Sequence, residues 1–258
     1  MAWQVFASGF RLAFTLAAFA ALLLLPAWVG VHVYGAPWLE GWPPTLWHAH
    51  EMLYGFVVAA IAGFLLTAVP SWTGRRGFGG APLVLLGALW LAARVVDARA
   101  AAWPAGLVAA LDNAFLLALL VLFAPPLLRE RNRNTPLLLV LLVLWLCNAT
   151  FHLGLFRGDL ALSRQALLTA VNFALILVTV IGGRITPSFT ATALRQRGVQ
   201  GAVRSWKGVT SVTVALMIAV AAVDLVQPGD ASAGWLALAA AIAQGARIYW
   251  VCPLVEES

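Results

Sequence analysis

Long apolar blocks separated by short polar segments make up most of this chain. The apolar runs are continuous rather than alternating, and most are about 20 residues long, the length of helix that crosses a hydrocarbon core of about 30 Å. Because a backbone in lipid must satisfy its own hydrogen bonds, continuous runs indicate helices rather than a barrel. The pattern predicts an all-α, polytopic transmembrane helix bundle of about eight spans: 10–33, 47–70, 82–98, 105–127, 135–156, 164–187, 209–227 and 233–252.

The composition agrees with a membrane protein. Of the 258 residues, 62% are hydrophobic and 10% are charged, whereas a soluble domain carries roughly 25% charged residues. The net charge is +6, but Lys and Arg lie in loops between apolar blocks, where they orient a membrane protein. We therefore expect no binding to nucleic acid. We also expect one integral membrane domain over 1–258, with its motifs within 10–190 and less characteristic spans over 209–252.

The loops predict how the chain is oriented. "TGRRGFGG", "RERNRN" and "RQRGVQGAVRSWK" follow the second, fourth and sixth spans and hold nine of the sixteen Lys and Arg residues. The loops on the opposite side contain fewer basic residues. Basic residues are enriched in cytoplasmic loops, so both termini are predicted to lie in the cytoplasm.

All four histidines fall at one end of the predicted bundle. His32 ends the first span, His48 and His50 begin the second, and His152 lies near the end of the fifth, toward the non-cytoplasmic side. Ionisable groups inside a membrane are costly, and they usually face the bundle interior at a site. His32 lies at a helix end, and there an ordinary interfacial position is the stronger interpretation.

Further polar residues share this level: Glu51, Arg94, Asp97, Asp112, Asn113 and Asn148. Glu51 and Asp97 lie inside apolar blocks, so we expect them to have buried partners, with an Arg94–Asp97 ion pair or an Asp97–histidine contact as candidates. A metal-bound histidine usually donates its second ring N–H to a carboxylate or carbonyl. Glu51, Asp97 and Asn148 are candidates for that acceptor.

Helical spacing separates the two histidines of "WHAHE". His48 and His50 are two residues apart, about 200° around a helix, so they cannot bind one metal from one helical face. Either His48 lies in a non-helical cap, or the two histidines serve different sites. His48 shares a helical face with Glu51, and His50 shares one with Tyr54.

Imidazole is a good ligand for haem iron, copper and zinc. A haem needs one or two axial ligands, and His50 and His152 could supply a pair from spans two and five. His48, together with Glu51 or His32, could then hold a copper. Which metal each histidine binds is left open by spacing alone.

One unusual group lies in the cytoplasmic half of the sixth span. "VIGGRITPSFT" places Arg184 after two glycines and before Pro187. The glycines permit close backbone approach, and Pro187 is expected to break or kink the helix, as Pro70 is at the end of span two. Arg184 could bind a haem propionate or another anion or pair with a carboxylate; the alternative is a position among the headgroups.

"WHAHEMLYGFVVAAIAGFLLTAVPSWTGRRGFGGAPL" resembles the opening signature of NnrS proteins, which are haem- and copper-containing bacterial membrane proteins linked to nitric oxide. "NATFHLG" and "IGGRITPSFT" continue the resemblance in the same order through the sixth span. The resemblance implies a multi-pass protein of the bacterial inner (cytoplasmic) membrane. It also implies haem b and copper as cofactors and a role in withstanding nitric oxide or nitrosative stress.

The resemblance places three family motifs on this chain: HxHE at 48–51, a later histidine at His152, and GGR at 182–184. Together with the spacing, it predicts a set of cofactor-binding residues and a set of metal ligands. The cofactor-binding set is His50, His152, Arg184, Asn148 and Tyr54. The metal-ligand set is His48, His50, Glu51, His152 and His32.

The C-terminal end departs from the family pattern. Family members usually continue to a His- and Gly-rich signature, which this chain lacks after "VCPLVEES". We therefore expect a short or C-terminally truncated member, or a membrane partner chain or second copy that supplies the rest.

The first functional hypothesis is a metalloprotein that binds or redox-handles nitric oxide or a similar small ligand at a histidine cluster near the outer face. Whether it is an enzyme is left open. A proton- or metal-linked transporter is an alternative, because intramembrane ionisable residues can form a pathway. A non-catalytic membrane subunit of a larger complex is the third possibility.

Overall fold

The described part of the chain is helical. A computed structural model describes residues 2–129, 134–198 and 207–251. A π-helix, Glu51–Val57, joins α2 to α3, and short 3-10 helices cover Ala2–Ala7 and Ala100–Ala102. The α-helices are α1 (Gly9–Tyr34), α2 (Pro44–His50), α3 (Val58–Trp72), α4 (Ala81–Ala98), α5 (Ala105–Arg129), α6 (Pro136–Arg157), α7 (Leu160–Gln196), α8 (Lys207–Val226) and α9 (Ala231–Val251).

Seven helical segments among the described residues are long and apolar enough to cross a membrane. They are α1, the continuous segment Pro44–Trp72, the helices α4 to α7, and Gly208–Val226 of α8. The prediction of an all-α, multi-pass membrane protein is therefore confirmed. The eighth predicted span coincides with α9, which is not among the seven, so the count of eight remains a prediction. The cytoplasmic position of both termini also remains a prediction, since two of the three basic loops lie partly outside the described residues.

The helices form two compact units, Met1–Ala170 and Val171–Ser258, and the boundary falls inside α7. In the first unit, α1 packs against α3 and the π-helix, α4 against α5, and α5 against α6. Large side chains that are almost completely buried fill this core, among them Trp47, Phe123 and Phe151. In the second unit, α8 packs against α9. The single-domain organisation expected from the sequence remains a prediction.

Two prolines that were expected to interrupt helices lie inside them. Pro70 belongs to α3, which ends two residues later, and Pro187 belongs to α7, which continues to Gln196. The predicted end of the sixth span at 187 is therefore wrong. An internal proline costs a helix about 3 kcal/mol.

Gly154 allows α6 to approach the start of α7. The Ser163 hydroxyl donates a hydrogen bond to the Phe151 carbonyl at 2.9 Å. A Cβ atom at position 154 would lie 2.8 Å from both the Asp159 carbonyl oxygen and the Ser163 backbone nitrogen. Those atoms belong to the backbone and cannot move aside as a flexible side chain would.

We therefore expect Gly154→Ala to destabilise the protein by about 1–3 kcal/mol, the usual cost of overpacking. Gly106→Ala in α5 is the matched control, because a Cβ there meets no atom within 4 Å. Its effect should stay within about 1 kcal/mol. Thermal unfolding in detergent, followed by tryptophan fluorescence, measures both variants. Equal midpoints would contradict the proposed role of Gly154.

Candidate metal centre

The second membrane-crossing segment changes its backbone hydrogen-bond spacing at the site. After α2 ends at His50, the π-helix Glu51–Val57 follows, and α3 begins at Val58. Segments with this i to i+5 hydrogen-bond spacing are rare in proteins. Where they do occur, they are often found at functional sites. The Gly55 carbonyl in the π-helix accepts a hydrogen bond from Trp90 Nε1 at 3.0 Å. Side-chain pairings that assume α-helical spacing therefore do not have to hold across this segment.

His50 is completely buried and has polar neighbours at both ring nitrogens. Its Nδ1 lies 3.1 Å from Glu51 Oε1. Its Nε2 lies 2.9 Å from Asn148 Oδ1 and 3.1 Å from Asp112 Oδ2. The predicted pairing with Tyr54 is present, with ring centroids 4.8 Å apart. The imidazole thus lies between Glu51, the next residue in the chain, and Asp112 of α5.

Asp112, near the start of α5, is the residue on which the other helices converge. Its Oδ2 lies 2.9 Å from His152 Nε2 and accepts a hydrogen bond from Asn148 Nδ2 at 2.7 Å. Its Oδ1 accepts a hydrogen bond from Arg94. The sequence indicated Asp112 only as a polar residue at the level of the histidines and not as a ligand. That shared level, inside an apolar span, was the signal that could have found it.

Arg94 of α4 is the cation shared by three carboxylates. Its Nη2 donates to Asp97 Oδ2 at 2.9 Å and also contacts Asp112. Its Nε lies 2.9 Å from Glu51 Oε2, an ion pair that is not aligned as a hydrogen bond. The predicted Arg94–Asp97 ion pair is confirmed. Three carboxylates and one guanidinium leave two excess negative charges while both imidazoles are neutral, and a buried site must balance such charge with a cation or with protons.

Two overlapping groups of side chains could hold a metal ion. The ligand atoms of His50, Asp112 and His152 all lie within 4.8 Å of one another, and the same holds for His50, Glu51 and Asp97. Arg94 contacts both carboxylates of the second group, and its positive charge opposes a cation there. In the first group Arg94 contacts Oδ1 of Asp112, whereas both histidines face Oδ2. The first group offers two imidazoles and a carboxylate, donors suited to copper, zinc or iron(II).

His32 and His48 lie outside these groups. His32 is exposed, and its ring stacks on Trp28 at 5.0 Å; the His48 ring stacks on the same indole at 4.1 Å. Glu51, the partner predicted for His48, contacts His50 instead. The sequence left two interpretations of "WHAHE" open: a non-helical cap at His48, or different sites for the two histidines. The structure places His48 within α2 and gives the two histidines different surroundings, which supports the second. Neither His32 nor His48 belongs to a metal-compatible group of three within the described ranges.

The His50–His152 pair does not fit a haem held between its two rings. The ring centroids are 5.9 Å apart with planes at 74°. Both Nε2 atoms face the same Asp112 oxygen. The carboxylate therefore lies where the iron of a bis-histidine haem would have to lie. This donor set fits a single small metal ion.

The two other residues of the predicted cofactor-binding set in the first unit support the site. Asn148 is completely buried and contacts both His50 and Asp112. The Tyr54 hydroxyl donates to the Leu144 carbonyl at 3.0 Å, which ties the π-helix to α6. A cavity of about 740 Å³ borders His152. A small ligand therefore has space next to one member of the metal-compatible group.

Arg184 lies in the second unit and is exposed there. Among the described residues of that unit, Arg247 is buried, and its Nη1 donates to the Thr179 carbonyl at 3.0 Å. A Cβ at Gly183 would lie 2.7 Å from that nitrogen, so this glycine gives room to the guanidinium. Sequence reasoning missed Arg247 because it lies near the end of the last span, where a basic residue is ordinarily interfacial.

Fold and site together define a multi-pass, all-helical membrane protein with a buried histidine–carboxylate cluster of metal-compatible geometry. The chain belongs to the NnrS family: the family described as "NnrS protein" matches residues 4–252. Comparison with curated proteins gives no match, and comparison with solved structures gives none either.

The family match extends beyond the six spans on which the resemblance rested, and it includes the residues of α8 and α9. The expectation of a C-terminally truncated member is therefore not supported. The expected partner chain or second copy remains a prediction.

Proposed function

We propose that this protein binds copper in the membrane and acts in the cell's response to nitric oxide. The metal would be held by His50, Asp112 and His152. The observation that carries the proposal is the convergence of three buried ligand groups, from α2, α5 and α6, within 4.8 Å. Two imidazoles and one carboxylate suit copper, which binds such donors more tightly than the other divalent first-row metals. Membership of the NnrS family supports the link to nitric oxide.

The residues around the ligands would prepare them for a metal. Glu51 Oε1, 3.1 Å from His50 Nδ1, favours the tautomer with the proton on Nδ1. That tautomer leaves Nε2 available for coordination, as is usual for metal-bound histidines. The Trp42 ring packs against His50 and His152 in T-shaped arrangements, with ring centroids 5.2 and 5.5 Å apart. Bound copper would supply a redox-active centre with a position for a small ligand such as nitric oxide.

The test compares metal binding in His152→Gln and His32→Gln. We expect His152→Gln to weaken copper binding by at least about a hundredfold, since it removes a ligand. His32→Gln should bind as the wild type does, because His32 is exposed and stacks on Trp28. Copper, iron and zinc contents of the purified proteins, with paramagnetic resonance and optical spectra, measure the outcome. Equal copper affinity in both variants would refute the site.

The spectra also test haem b, which the resemblance implies. If His50 and His152 hold copper as proposed, the wild type shows no bis-histidine haem spectrum that depends on both residues. A Soret band lost in His50→Ala and in His152→Gln, with no copper bound, would replace the copper proposal with a haem one.

A proton-linked transporter is the second candidate, and the carboxylates around Arg94 favour it. Buried ionisable residues inside a membrane protein mark ion pathways. Asp97 is buried, and its Oδ1 has no hydrogen-bond partner in the part of the chain that is described. Proton flux into proteoliposomes that Asp97→Asn abolishes, with copper content unchanged, would support this function over the first.

A further inference from the structure

A second cavity lies at the other end of the first unit from the histidines. It measures about 390 Å³ and is lined by the end of α3, the loop after it, the start of α4 and the last third of α5. This volume lies within the usual range of ligand sites, roughly 300–1,000 Å³. Leu85 and Val121 line it and are also 57% and 66% exposed. On a membrane-crossing helix, such exposed apolar side chains face lipid.

Two arginines lie at this cavity. Arg75 and Arg76 follow α3 in the loop "TGRRGFGG", and both are exposed and line the cavity. Gly74 at φ 62° turns the chain there, and the Arg75 backbone nitrogen donates to the Pro70 carbonyl at 3.0 Å. This turn places two guanidinium groups beside an apolar groove. Guanidinium binds phosphate oxygens through parallel hydrogen bonds.

The opposite wall of the cavity is apolar. Val121, Leu122, Pro125 and Pro126, all on α5, line it. An apolar wall beside two guanidinium groups suits a ligand that carries both a phosphate and an acyl chain.

We propose that this cavity binds an anionic phospholipid. Arg75 and Arg76 hold the phosphate, and an acyl chain lies along Leu85 and Val121. A basic pocket between membrane helices is the arrangement that binds anionic headgroups. The site is separate from the histidine cluster, so it does not depend on the proposed copper function.

The test measures lipid binding to the full chain in detergent by native mass spectrometry. We expect phosphatidylglycerol to bind more tightly than phosphatidylcholine, and the double variant Arg75→Gln/Arg76→Gln to lose about fivefold in affinity for each arginine removed. Arg11→Gln is the matched control, an exposed arginine in the first turn of α1 that does not line the cavity. Copper loading should be the same in all of these variants.

Two comparisons could overturn the proposal. Phosphatidylglycerol affinity that falls equally in Arg11→Gln would show only general attraction to basic loops. Glycerol phosphate binding as tightly as the whole lipid would exclude the acyl-chain groove.

Discussion

Replacing Arg94 with glutamine is expected to lower the free energy of unfolding by about 3–5 kcal/mol, as removal of one partner from a buried ion pair does. Arg94 is in contact with the carboxylates of Glu51, Asp97 and Asp112. Glutamine can still donate hydrogen bonds, but it leaves the carboxylates without their shared positive charge. In a buried site the mutual repulsion of these carboxylates is only weakly screened.

Arg99→Gln is the matched control for this prediction. Arg99 pairs with Glu40 at 3.1 Å, but the two side chains are 55% and 43% exposed. Solvent screens such a pair, so its loss should cost less than about 1 kcal/mol. Thermal unfolding of both variants in the same detergent compares them, and equal midpoints would contradict the central role of Arg94. Adding Asp97→Asn to Arg94→Gln should recover part of the loss, because it removes one of the repelling charges.

Replacing Asp112 with asparagine is expected to weaken copper binding by more than about a hundredfold. Asp112 supplies the negative charge and the oxygen ligand in the group formed with His50 and His152. Asparagine has nearly the same shape, so the packing of α5 against α4 and α6 should remain. Copper titration against a competing chelator gives the affinity. Quenching of Trp42 fluorescence reports binding near His50, because the two rings are 5.2 Å apart.

Asp97→Asn distinguishes the two possible metal groups. Asp97 is also buried and also contacts Arg94, but it belongs to the group with His50 and Glu51. If the metal lies where we propose, Asp97→Asn keeps tight copper binding. Copper loss in Asp97→Asn with tight binding in Asp112→Asn would move the metal to the other group. A monodisperse preparation with unchanged helical circular dichroism is required of each variant, so that a loss of affinity is not a loss of fold.

The membrane helices could be predicted from the sequence because continuous apolar runs are a strong local signal. The first span was expected at 10–33, and α1 covers Gly9–Tyr34. The fourth was expected at 105–127, and α5 covers Ala105–Arg129. The largest discrepancy is α7, expected at 164–187 and found over Leu160–Gln196. Hydropathy reports where an apolar run ends, but α7 continues as a helix for nine residues beyond Pro187.

The candidate site could be predicted only in part, because local patterns report the level of a residue in the membrane and not its partners. The level shared by His50, His152 and Asn148 was predicted, and so was the Arg94–Asp97 pair. The central position of Asp112 was not, because it depends on how α5 packs between α4 and α6. The π-helical spacing after His50 was not predicted either, since nothing in the residue pattern marks such a segment.

The π-helix Glu51–Val57 has a consequence for the rotational phase of the second membrane-crossing segment. A turn with i to i+5 hydrogen bonds holds about one residue more than an α-helical turn. If 51–57 took up α-helical spacing with the same number of residues, everything before it would turn by about 100° relative to α3, the angle per residue of an α-helix. The apolar faces of α3 could then stay packed while His50 turned away from Asp112. The π-helix thus sets the direction of the His50 side chain independently of α3. The orientation of the histidine and the packing of the apolar helix can therefore vary separately in this protein.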